Sequence, residues 1–148
     1  MQRFQFPLEQ ALKWRATCLD LENAKLARLR HERDRAARLR ATVQADAQRE
    51  SAAFRQRLRG TTGAELSILA GYRQGVAVRL KNLASTIARC EAQIEKQRAA
   101  VLEADREMRL LERLKQRQFE EWTYELSREI ENTAAELFLA NRRRASHG

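Results

Sequence analysis

From Leu8 onward, apolar side chains recur at steps that add up in threes and fours: Leu8, Leu12, Leu19, Leu26, Leu29, Ala36, Val43, Ala47 and Phe54. Arg15, Glu22, Arg33, Arg40 and Glu50 stand at positions the stripe skips. A second stripe runs through Val76, Leu80, Leu83, Ile87, Cys90, Ile94, Gln97, Val101, Ala104, Met108 and Leu111, with Gln97 its only polar member. A stripe that repeats about every 3.5 residues winds a helix around a partner helix, so both segments read as coiled-coil strands.

Between them lies RGTTGAEL, residues 59–66. Gly60 suits the left-handed conformation that ends a helix, and Thr62-x-x-Glu65 is a capping box for the next one. The expected fold is all-α: a long antiparallel two-helix coiled-coil hairpin in one domain. Helix one spans about 5–58, the turn 59–63, helix two about 64–142, and a basic tail 142–148. Pro7, the only proline, suits the first turn of helix one. Equal rise on two antiparallel helices centred near residue 61 makes facing positions sum to about 122. Phe54 then faces Leu69, Val43 faces Leu80, Leu29 faces Ile94, Leu19 faces Ala104 and Leu12 faces Leu111. Cys18 and Cys90 stand about 14 residues out of step, roughly 20 Å along the helices, too far for a disulfide.

The arms are unequal, and helix two continues past the start of helix one as a C-terminal overhang. It keeps an apolar stripe at Phe119, Leu126, Ile130, Leu137 and Ala140. LERLKQRQFEEW, residues 111–122, sits where the two-helix seam runs out. Phe119 and Trp122 are therefore expected to lack an intramolecular partner and to serve a surface outside the chain. Near the tip, Leu66, Ile68, Leu69 and Tyr72 are expected to pack against Phe54 and Leu58, to bind a partner, or to do both.

Composition agrees with helices more than with a globule. Of 148 residues 43% are hydrophobic, many of them alanine, and 33% are charged, with a formal net charge of +9. The charge is uneven. Residues 1–60 hold 14 Lys/Arg against 7 Asp/Glu, whereas 101–148 hold 9 against 10. From Gln118 to Asn141 six acids accompany one base, Arg128, before Arg142, Arg143 and Arg144. The basic run Lys25–Arg40 invites a phosphate-binding reading, but Glu32 and Asp34 interrupt it and no aromatic interleaves it to stack bases. Specific nucleic-acid binding is not expected; salt-sensitive adsorption is.

No apolar run is long enough to cross a bilayer, the N-terminal residues lack the apolar region of a signal peptide, and the two cysteines lack metal-ligand spacing. These features point to a cytoplasmic protein. Catalytic chemistry finds no motif: His31 and His147 are the only histidines, and neither a nucleophile motif nor a glycine-rich phosphate loop occurs. His31 falls near Cys90 and Glu91 in the expected register, and with only two plausible ligands the expected reading is a surface histidine beside a core thiol rather than a metal site or an acid-base pair. Neither an enzyme activity nor a cofactor or metal is expected.

Two sequence elements carry a resemblance. One is the opening aromatic-x-aromatic-x-Leu-x-x-x-Leu of Phe4, Phe6, Leu8 and Leu12; the other is Leu-x-x-Leu-Lys-x-Arg followed by aromatic-Glu-Glu-aromatic, Leu111 to Trp122. With TAAELFLANRRRA after them, they make nearly the whole chain resemble the FliJ family of the bacterial flagellar export apparatus. The resemblance implies a non-enzymatic stalk of the type III protein export apparatus, also acting as a chaperone escort, that couples a hexameric export ATPase and its regulator to the cytoplasmic domain of the membrane export gate. Export chaperones are further implied partners, and the location implied is cytoplasmic, peripheral to the inner face of the membrane. By position, Leu111, Leu114, Lys115, Arg117, Phe119, Glu120, Glu121 and Trp122 would face the ATPase, and Leu69, Tyr72 and Val76 the gate. A stalk of a virulence type III secretion system, a generic cytoplasmic coiled-coil scaffold, and a non-specific nucleic-acid-binding coiled coil are the alternatives.

Overall fold

The computed structural model of the chain describes residues 2–57, 60 and 62–148. It is an all-α hairpin of two long helices packed against each other, α1 (Glu9–Gln56, 48 residues) and α2 (Gly63–Ser146, 84 residues). Among the described residues there is no strand.

Local chemistry sets the ends. Pro7 lacks an N–H and biases Phe6 toward extended backbone, so residues 2–6 stay outside the helix. The chain then turns with the Glu9 amide donating to the Phe6 carbonyl at 3.1 Å. Helix α1 thus begins at Glu9 rather than near residue 5, with an acid in its first turn where the helix dipole favours one. At the other end Gly60 has φ 108°, a conformation that crowds any side chain's Cβ, although open space surrounds it. Thr62 caps α2: its hydroxyl oxygen accepts from the Glu65 amide at 3.3 Å and its carbonyl from the Leu66 amide at 3.1 Å. Leu58, Arg59 and Thr61, expected at the tip and its turn, lie outside the described residues. Helix α2 runs to Ser146, so Arg142–Arg144 form its last turns rather than a separate tail, again as the dipole favours.

Two packing units make up the chain. In Leu21–Leu102, Leu26, Ala36, Val43, Cys90 and Ile94 are buried, all on the two predicted stripes. The Gln97 side-chain amide donates to the Glu22 carbonyl at 2.9 Å and also to the Glu22 carboxylate. The one polar member of the second stripe therefore meets a skipped position of the first. In Met1–Asp20 with Glu103–Gly148, the Arg15 guanidinium pairs with Glu107, and Lys115 pairs with Glu9 at 2.8 Å. These pairs lie on or within a few residues of the expected register. A polar or charged pair inside a seam costs stability elsewhere in the register, because each member loses its partner when the strands slip.

The core is one residue wide, since a helix with a single partner buries a single face. Both cysteines are free, Cys18 half-buried and Cys90 buried.

Candidate functional site

Pro7 does more than delay the helix. It releases Gln2–Phe6 to run along α2 in the antiparallel sense that α1 would have continued. The segment keeps pace with α2: Gln2 meets Trp122 and Glu9 meets Lys115, seven residues apart on each side. Phe4 meets Phe119 edge-on at 5.2 Å between ring centroids and Trp122 at 5.8 Å, while Phe119 and Trp122 are themselves 5.8 Å apart at 27°. The Trp122 indole N–H donates to the Gln2 carbonyl at 3.2 Å. The Phe6 side chain is buried.

This corrects one expectation. Phe119 and Trp122 do have an intramolecular partner, supplied by the segment before Pro7 rather than by the opposing helix. The signal was present: carried past Pro7, the register of about 122 brings Phe4 beside Phe119. What hid it was the assumption that pairing stops where a helix stops.

The remaining candidates divide by the face they occupy. Leu111 and Leu114 are half-buried in the hairpin seam. Lys115 is tied to Glu9. Arg117, Glu120 and Glu121 are exposed, with Glu120 accepting from the Gln116 side chain at 3.0 Å. Phe119 keeps 43% of its surface exposed despite the cluster. The result is an aromatic patch, half covered by Phe4, with a strip of open charge on the opposite face of α2 at the same level.

Beyond it no helix among the described residues lies against the overhang. Tyr124, Ile130, Leu137, Phe138 and Leu139 are exposed, and Leu126 half-buried. Glu125, Arg128, Glu129, Asn132, Thr133 and Glu136 line a shallow polar groove on it, and the Arg128 guanidinium lies 5.9 Å from the Tyr124 ring. Apolar stripe and acidic flank run side by side.

At the tip, Leu69 and Val76 are half-buried and Tyr72 exposed. Phe54, Ile68, Leu69 and Tyr72 share a groove with Glu50, Arg57 and Glu65, which places Phe54 beside Leu69 as expected. His31 is exposed, and no group of three or more His, Cys, Asp or Glu suited to a metal ion occurs among the described residues. No described helix is long and apolar enough to cross a membrane. The Glu22 carboxyl is held below its ordinary value by the hydrogen bond from the Gln97 side chain and then by Lys25. Comparisons of this chain with protein-family models, with curated proteins and with solved structures find no match.

Proposed function

We propose that this chain is a non-enzymatic stalk of a bacterial type III protein export apparatus of the flagellar kind, which couples a hexameric export ATPase to the membrane export gate. The observation that carries the reading is the aromatic cluster. The two sequence elements that resemble the FliJ family, one before Pro7 and one at the end of the α1–α2 seam, are over a hundred residues apart and pack onto each other through Phe4, Phe119 and Trp122. A motif split across the chain but joined in space behaves as one surface. Arg117, Glu120 and Glu121, exposed on the opposite face of α2 at the same level, offer both signs of charge, and a helix that presents aromatic and charged faces at one level suits docking into a surrounding protein ring more than onto a phosphate backbone.

In this reading the aromatic patch and its charged strip enter the ATPase ring, the Leu69–Tyr72–Val76 end points to the gate, and the exposed stripe of the overhang is available to the ring's regulator and to export chaperones. The test is stimulation of a purified flagellar export ATPase by the full chain. Stimulation by wild type, and its loss in an Arg117→Glu variant that keeps full helicity, is the expected result. A chain that neither binds nor stimulates the ATPase overturns the reading and leaves a generic coiled-coil scaffold.

A further inference from the structure

The first turns of α2 carry apolar side chains on opposite sides. Leu66 is 49% and Ile68 74% exposed, and Tyr72 is exposed with them. Two residues separate Leu66 from Ile68, about 200° around a helix. One neighbouring helix covers one face only, so α1 cannot bury both. A helix end that exposes apolar side chains on opposite faces, with Glu65 and Ser67 between them, is not matched by one flat partner face and suits a medium that surrounds it.

The charges nearby select that medium. Between residues 43 and 79, the part of both helices that reaches as far from the tip as Arg79 does, there are six arginines and three acids, Asp46, Glu50 and Glu65. Arg73 follows Leu66 by seven residues and Arg79 follows Tyr72 by seven, two turns further from the tip and on the same faces, about 10 Å along the axis. Arg55 lies exposed on the closing turn of α1. Apolar groups nearest the tip and guanidinium groups a headgroup's depth behind them, distributed around the axis, match a plane of phosphates over hydrocarbon. A discrete acidic pocket on a protein would call for arginines on one side.

We propose that the tip of the hairpin docks onto anionic lipid bilayers, with Leu66, Ile68 and Tyr72 entering the boundary between headgroups and acyl chains and Arg55, Arg73 and Arg79 meeting lipid phosphates. The proposal does not depend on the export reading, and vesicle binding needs no ATPase.

Flotation of the full chain with vesicles tests it, comparing phosphatidylcholine alone with phosphatidylcholine containing phosphatidylglycerol. The salt is physiological, where simple adsorption of a basic protein is screened. Wild type floats with the anionic vesicles and not with the zwitterionic ones. L66S/I68S changes only exposed side chains, keeps its helicity by circular dichroism, and binds the anionic vesicles about tenfold or more weakly through lost apolar burial. R28Q/R35Q/R38Q removes three positive charges from the middle of α1, as many as Arg55, Arg73 and Arg79 supply near the tip, and retains most of the binding. The proposal is overturned if wild type stays with the soluble fraction, if L66S/I68S floats like wild type, or if the α1 variant loses as much as the tip variant. The first result leaves a protein socket for the tip, and the other two mean adsorption by net charge.

Discussion

The indole N–H of Trp122 donates to the main-chain carbonyl of Gln2 at 3.2 Å, a bond between residues 120 apart in sequence. It holds a segment with no secondary structure of its own against α2, and it orients the indole so that Phe4 can pack on it. A main-chain acceptor is indifferent to the side chain at position 2, so the specificity of the contact comes from Phe4, Phe119 and Trp122.

Removing the Phe4 ring should therefore undo the contact without disturbing the helices. An aromatic pair contributes about 0.5–1.5 kcal/mol beyond its area, and Phe4 faces two rings. In a Trp14→Phe background, which leaves Trp122 as the sole indole, Phe4→Ala should shift the emission to the red and speed amide exchange in residues 2–6, with circular dichroism unchanged. If the emission stays put, the segment is held by Phe6 alone and the aromatic cluster is incidental.

The seam itself should be sharply graded by burial. Ile94 is 3% exposed and Leu102, two turns on, 67%. Ile94→Ala should cost about 2–5 kcal/mol, whereas Leu102→Ala should stay within about 0.5 kcal/mol. Urea melts of the two variants settle this, and comparable midpoints would mean that the helices do not pack on the stripe seen here.

Much of this fold could be read from spacing. The stripes, the capping residue Thr62, the left-handed Gly60 and the register depend on local steps of three and four, and such signals are carried by neighbouring residues. The partner of Trp122 was legible only by carrying the register past Pro7, because residues 2–6 form no periodic element of their own and their contact is tertiary. The pairing of Glu22 with Gln97 lay between these cases. Both residues looked like flaws in their stripes, and only the register turned two flaws into one bond.

That bond makes a pH prediction. Hydrogen bonding by Gln97 lowers the Glu22 carboxyl below its ordinary value, so the folded state holds this group's proton less tightly than the unfolded chain. Its contribution to stability is complete above the unfolded carboxyl range and is lost as pH falls through the lowered folded value. Gln97→Leu should shrink that acid-side loss and lower stability at neutral pH, since it leaves the Glu22 carboxylate without its partner in the seam. Denaturation midpoints between neutral and strongly acidic pH, compared for the two chains, would show it; parallel profiles would count against the Glu22 assignment.

The last prediction separates an export stalk from a nucleic-acid binder by the sign of charge it needs. Glu120, Glu121 and Glu125 are all exposed on α2 at and beyond the level of the aromatic patch, and Glu120 accepts from the Gln116 side chain. Changing the three to glutamine should therefore leave folding intact. A stalk docked in an ATPase ring meets complementary patches of both signs, so the triple variant should stimulate the ATPase less, and the deficit should narrow at high salt where wild-type attraction is screened too. A phosphate backbone repels these same carboxylates, so adsorption to duplex DNA should be unchanged or stronger. ATPase stimulation and DNA affinity measured in parallel at moderate salt give the answer. Normal stimulation by the variant would remove the acidic strip from the proposed interface. Wild-type preference for one DNA sequence by more than about a hundredfold, on the way to the 10³ or more typical of specific binders, would replace the stalk with a nucleic-acid function.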